Sequence, residues 1–254
     1  MSRVRSTIAT KVAIVAIVLA ACGGTSAEVT EFCESFVDAE TLFNAGPGDD
    51  PAVWAGEMTE TLTALEDQAP SEVSGAIETI SGTMLPLLEA GDAEGLFAAT
   101  ESQDFSGALA TIDTYMTDEC GWDVTGVTAV EYAFDADLEG VGAGYNTISF
   151  QNDGNEFHEM ALMRINDDTT EDLQELLQLP EEEAMAKVTM TGGAFAEPGA
   201  TDTVFVDLTP GRYAIVCFLP VGATPDNIEA LESGEFEGAP HFTQGMIQEF
   251  TVEE

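Results

Sequence analysis

Histidine is almost absent from this 254-residue chain, which has only His158 and His241. Basic side chains are nearly as scarce, six lysines and arginines against 48 aspartates and glutamates. Three of the six, Arg3, Arg5 and Lys11, stand at the extreme N-terminus, so the rest of the chain keeps Arg164, Lys187 and Arg212. A net charge of −42 repels phosphate backbones and anionic headgroups, which excludes nucleic acid and acidic lipid surfaces as partners and favours cations and basic proteins. An acidic surface of this density suits a salty medium that screens self-repulsion; a specific acidic docking surface is the other reading. Carboxylates this dense also rob any one pair of meaning as a catalytic acid and base. There are four cysteines, none at the close pair spacing of a zinc finger. No nucleophile elbow is present, and after residue 21 no apolar run reaches the ~20 residues of a membrane-spanning helix.

The N-terminus reads differently from the rest. Arg3, Arg5 and Lys11 lead into an apolar run over residues 12–21 that ends Leu19-Ala-Ala-Cys22-Gly23, the pattern of an export signal, so residues 1–21 are set aside from the fold. The Leu-Ala-Ala-Cys ending resembles the bacterial lipoprotein signal. That resemblance implies that Cys22 is diacylated and becomes the mature N-terminus, with residues 22–27 as a short linker. It places the protein outside the cytoplasm, in the cell envelope, touching the membrane only through the N-terminal lipid. An uncleaved anchor is the other reading, and the apolar run is short for it.

About 230 residues remain, enough for one large domain or two ordinary ones. Their texture divides at residue 123, which favours an α+β chain of two parts, a helical domain over 28–123 and a β domain over 124–254. In the first part Val29, Phe32, Cys33, Phe36, Val37 and Phe43 keep the spacing of a helix with one buried face, ended by Gly46-Pro47-Gly48. A second helix carries Trp54, Met58, Leu62 and Leu65 and stops before Pro70. A third starts at Ser71, buries Val73, Ile77, Ile80 and Met84, and bends or breaks near Pro86. A fourth carries Phe105, Leu109, Ile112, Met116 and Cys120, with Gly121 just past its end. Cys33 and Cys120 lie on the apolar faces of the first and last helices. In an exported protein two such cysteines read as a disulfide stapling a small bundle. Trp54 and Trp122 read as core residues rather than binding platforms.

In the second part, short alternating runs over 124–134, 145–151, 156–165, 203–208, 212–219 and 246–252 are parted by Gly, Asn, Asp and Pro, as in an antiparallel β-sandwich. Acidic helical segments over 169–179 and 180–187 interrupt it. Gly140-Val-Gly142-Ala-Gly144 precedes a strand rather than a helix, so it is not a dinucleotide loop. Asp135-Ala-Asp137-Leu-Glu139-Gly140 starts like a calcium loop, but Asn146 stands where the bidentate glutamate belongs.

The two histidines fall in line with Cys217 and Met246, and the order His, Cys, His, Met is the donor set of a blue-copper centre: two imidazoles and a thiolate in a plane, plus a weak axial thioether. The flanking residues carry a resemblance to the cupredoxins. Ile148-Ser-Phe-Gln-Asn-Asp-Gly-Asn-Glu-Phe-His158 is similar to the family's strand, polar turn and first histidine. Val206-Asp-Leu-Thr-Pro-Gly-Arg-Tyr-Ala-Ile-Val-Cys217 resembles the strand that delivers the cysteine, and Pro240-His241-Phe-Thr-Gln-Gly-Met246 the loop with second histidine and axial methionine. This resemblance covers the part from Val124 onward. It implies a cupredoxin-like sandwich with one copper ion on His158, Cys217, His241 and Met246, serving electron transfer with a redox protein or copper handling. No catalytic residues are expected; multicopper oxidase or reductase chemistry needs more histidines. One departure stands out: residues 218–240 separate Cys217 from His241, where the family has a few residues, with a short helix expected over 225–233. A metal-free cupredoxin-like module that offers acidic surfaces to a protein or cation is the alternative. In it Cys217 is a core residue beneath Tyr213 and Ile215.

Overall fold

The computed structural model describes residues 26–253 apart from Asp49, Glu101 and Glu235. Residues 1–25, which hold the expected export signal and the expected lipidation of Cys22, lie outside the described residues. Helix α1 (Ala27–Ala45) begins where the Ser26 hydroxyl accepts the Val29 N–H, and it ends at Gly46, whose φ of 67° favours glycine. Asp50 and a proline in the first turn start α2 (Pro51–Gln68). Residues 71–73 form a turn, so α3 (Ser74–Ala90) starts three residues later than expected. It also runs through Pro86 instead of breaking there. The carbonyl that proline leaves without a donor belongs to Gly82, which is exposed and has water at hand. The short α4 (Ala93–Thr100) has no counterpart in the sequence reading, being too brief to show a period, and α5 (Gln103–Glu119) is capped by Ser102.

The inner faces of these helices bury Phe32, Met58, Leu65, Ile77 and Ile112 in one apolar core. A disulfide joins Cys33 of α1 to Cys120 just beyond α5, which ties the first and last helices together as the sequence suggests. Trp54 packs against this core and donates its indole N–H to the Leu42 carbonyl.

Among the described residues eight strands follow, in two four-stranded sheets. The first has the order β2 (Ala133–Ala136), β1 (Val124–Val130), β3 (Gly144–Asn152), β6 (Thr201–Leu208). The second has the order β5 (Val188–Ala196), β4 (His158–Ile165), β7 (Gly211–Val216), β8 (Ile247–Val252). Pairing is antiparallel except between β1 and β3, which run parallel, a correction to the purely antiparallel expectation. The cause is local: residues 124–134 are not one strand but turn at Glu131 and Tyr132, β2 doubles back, and the following loop returns the chain along the other edge of β1. Strand β5 escapes the sequence reading because Gly192 and Gly193 interrupt its alternation. Gly192 is required there, since a Cβ would stand 2.8 Å from a Val204 methyl and 3.0 Å from one of Val206 on the other sheet. Both sheets feed one core, with Val127, Ile148, Phe150 and Val206 from the first and Met160, Leu162, Tyr213, Ile215 and Phe250 from the second. The outer face of the second sheet, at Met163, Ala214 and Val216, is covered by Leu173 of α6 (Leu173–Leu176), which α7 (Glu181–Met185) follows.

The helices and sheets meet at β6. Val204 and Val206 point into the sheet core, while Phe205 between them is buried in the helical core, as strand alternation requires. Trp122 stacks on Tyr145 at a centroid distance of 5.1 Å and lies 6.3 Å from Phe205.

Candidate metal centre

Strand direction brings the candidate donors together. Strand β4 begins at His158, and its antiparallel neighbour β7 ends just before Cys217, so both residues lie at the same edge of the second sheet. Antiparallel β8 starts at that edge too, immediately after Met246. Cys217 continues the inward alternation of Tyr213 and Ile215. All four residues are fully buried.

The long excursion between Cys217 and His241 does not separate them, because its ends pair. Pro220 bridges Pro240, the Val221 N–H donates to the Ala239 carbonyl at 2.9 Å, and the His241 N–H donates to Leu219 at 2.8 Å. Gly238 allows this neck, since a Cβ there would meet the Val221 carbonyl oxygen at 2.8 Å. Beyond the neck, α8 (Ile228–Glu232), entered through a 3-10 turn at Pro225, occupies the expected helical position. His241 opens a second 3-10 turn that closes at Gly245, φ 114°. The Phe242 N–H donates to the Cys217 carbonyl at 3.0 Å, and the Cys217 N–H to the Met246 carbonyl at 3.2 Å. Backbone pairing thus locks the cysteine, second histidine and methionine segments to one another.

The side chains converge. Cys217 Sγ lies 3.2 Å from His241 Nδ1, which lies 3.3 Å from His158 Nδ1. Nitrogen and sulfur donors of the three residues all fall within 4.8 Å of one another, the single His, Cys, Asp and Glu cluster of this kind among the described residues. The Glu159 N–H points at Cys217 Sγ from 3.4 Å.

Hydrogen bonding shows which atoms are free to bind. His241 Nε2 stands 3.0 Å from Glu156 Oε2; a carboxylate only accepts, so Nε2 carries the proton and Nδ1 presents a lone pair to the cluster. His158 has no good solution of its own. With the proton on Nδ1, that N–H donates to His241 Nδ1 at 3.3 Å but the Nε2 lone pair faces Glu131 Oε1 at 3.8 Å; with the proton on Nε2, its Nδ1 lone pair faces that of His241. Nε2 is a buried nitrogen without a hydrogen-bond partner. A cation among two imidazole nitrogens and a sulfur removes this conflict, and that donor set of mixed softness suits copper. Without one, His158 and Cys217 are held neutral. Burial, then the neighbouring His241, lowers the His158 pKa to about 4, and burial pushes the Cys217 thiol up to about 12.

Three glutamates that the sequence reading passed over frame the site. Glu156 accepts from His241, from the Tyr132 hydroxyl at 2.9 Å and from the Gly222 N–H at 2.5 Å. Glu131 accepts backbone N–H groups of Asn155 and Glu156. Burial opposes its charge, but those donors and His158 outweigh burial and hold the carboxyl below its usual range. Glu159 accepts the Phe218 N–H at 2.7 Å. Fully buried Asn152 shapes the turn before His158, donating to the carbonyls of Glu156 and Ala196 at 2.8 Å each while accepting the Gly154 N–H. Acidity so uniform hid these glutamates; the one local signal was that Glu156 sits two residues before His158.

No protein-family model and no curated protein matches this chain. Among solved structures it is similar to the crystal structure of dithionite-reduced auracyanin from the photosynthetic bacterium Roseiflexus castenholzii, with 18% identity over 52% of this chain and 97% of that one, at a TM-score of 0.34.

Proposed function

We propose that this is a cupredoxin-like protein that holds one copper ion on His158, Cys217 and His241, with Met246 as the axial ligand, and that it serves electron transfer or copper handling outside the cytoplasm, tethered through a lipidated Cys22. The observation that carries the reading is the convergence of two imidazole nitrogens and one sulfur, all fully buried. Copper there would supply a one-electron couple. The protein's part is to keep the donors dry and fixed, which the locked backbone of residues 217–219 and 239–246 does. A disulfide between Cys33 and Cys120 fits an oxidising compartment, and among the described residues no helix is long and apolar enough to cross a membrane.

Titration of protein lacking the first 22 residues with Cu(II) is expected to give one bound copper per chain and an intense thiolate-to-copper band in the visible. Cys217→Ser should abolish the band and leave the far-ultraviolet circular dichroism unchanged. Colourless wild-type protein without stoichiometric copper would rule the reading out in favour of a metal-free module.

A further inference from the structure

Glu131 and Glu156 do more than line the site. Each stands at the outer nitrogen of one histidine: Glu156 Oε2 at 3.0 Å from His241 Nε2, and Glu131 Oε1 at 3.8 Å from His158 Nε2. Neither carboxylate is free to swing away. Glu156 is anchored by the Tyr132 hydroxyl and the Gly222 N–H, and Glu131 by two backbone N–H groups, one of them that of Glu156 itself. The tyrosine between them packs its ring 4.8 Å from the His241 ring. Gly154 leaves the gap through which Glu131 approaches, because a Cβ there would stand 2.6 Å from Glu131 Oε1 and 2.7 Å from His158 Nε2. Among the described residues no cation offsets the pair, since Arg164, Lys187 and Arg212 are engaged elsewhere with Asp167, Glu171 and Glu249.

Two effects follow from this placement. An imidazole that donates its outer N–H to a carboxylate is a more basic ligand at its other nitrogen. Two uncompensated negative charges beside a buried centre also stabilise a doubly charged cation more than a singly charged one. We propose that Glu156 is a positioning residue that orients His241, and that its charge and that of Glu131 bias the centre toward Cu(II) over Cu(I). The proposal rests on the copper reading above and goes beyond it, since that reading holds with or without the glutamates.

The test compares Cu(II) and Cu(I) dissociation constants, by chelator competition, and the reduction potential in wild type, Glu156→Gln and Glu131→Gln, with Glu139→Gln as an exposed carboxylate away from the site. Each of the first two is expected to keep one copper and the visible band while shifting the Cu(II)-to-Cu(I) preference toward Cu(I) by ~10-fold, equivalent to a rise of about 59 mV for a one-electron couple. Glu139→Gln should move neither. Should one glutamine variant fail to fold, the other carries the comparison. An unchanged preference in the folded variants, or an equal shift in Glu139→Gln, overturns the proposal and leaves the copper reading standing. Wild-type protein that binds no copper overturns both.

Discussion

Helices α1 to α5 and the two sheets bury different things. Among the described residues one polar side chain, Ser81, is buried in the helical part, whereas Asn146, Thr147, Asn152, His158, Thr169 and His241 are buried in the β part. The helical core is apolar and closed by a covalent bond between its first and last helices. At one edge of the second sheet, by contrast, the donors of His158, Cys217 and His241 lie opposite one another and His158 Nε2 is buried without a partner. Buried polar groups without partners cost stability. The helical part contributes packing that is indifferent to ligand, and the β part spends some of its own packing on a site.

Several substitutions break or sharpen this contrast. The largest effect should come from Phe205→Ala, which empties a β-strand side chain out of the helical core and is expected to cost about 3–5 kcal/mol. Chemical denaturation should then show both parts destabilised together, and an unchanged midpoint would show them to be energetically separate. Removal of the disulfide by Cys33→Ala with Cys120→Ala is expected to cost about 2–5 kcal/mol while copper stoichiometry stays at the wild-type value. Loss of copper in that variant would mean that the site depends on the bundle. Gly154→Ala works the other way: its methyl group collides with His158 Nε2 and Glu131 Oε1, and it should weaken copper binding ~10–100-fold with little change in the unfolding midpoint.

A separate effect is one of pH. Partial burial first, then the charges of Asp113 and Asp202, lifts the pKa of half-buried Glu40 from 4.5 to about 8, and partial burial with Asp202 lifts Asp113 from 3.8 to about 7. The folded state therefore binds more protons than the unfolded one between those values. This contribution to stability is complete below the unfolded pKa values and disappears as pH rises through about 7 to 8. Wild-type stability should fall across that range, and Glu40→Gln should flatten the fall. An identical slope in the variant would place its source elsewhere.

How much of this was legible in the sequence follows from the range of the interactions. Helices α1, α2 and α5 show in the spacing of Phe32, Met58 and Ile112 because a buried helical face repeats within a few residues. The donors could be picked out because histidine and cysteine are rare here. Strand β5 was hidden by Gly192, whose reason for being there is a contact with Val204 and Val206 on the opposite sheet. The parallel pairing of β1 and β3 depends on where a loop returns, which no local period encodes. Glu131 and Glu156 were lost among 48 acidic residues, and only their positions opposite His158 and His241 set them apart.

The neck at Pro220 and Pro240 has a further consequence. A chain segment pinched shut at its base hangs from the molecule as a pendant, and the spacing of the residues below the pinch no longer depends on what lies above it. The distance between Cys217 and His241 is set by a few backbone hydrogen bonds rather than by the residues between them. Residues 224–237, between Ala223, whose carbonyl accepts the Phe157 N–H, and Gly238, which the neck requires, can then be shortened, lengthened or exchanged for another sequence with only the weak, logarithmic entropy cost of a loop. That leaves this protein a place to acquire a new recognition surface next to its candidate metal centre without rebuilding the centre itself.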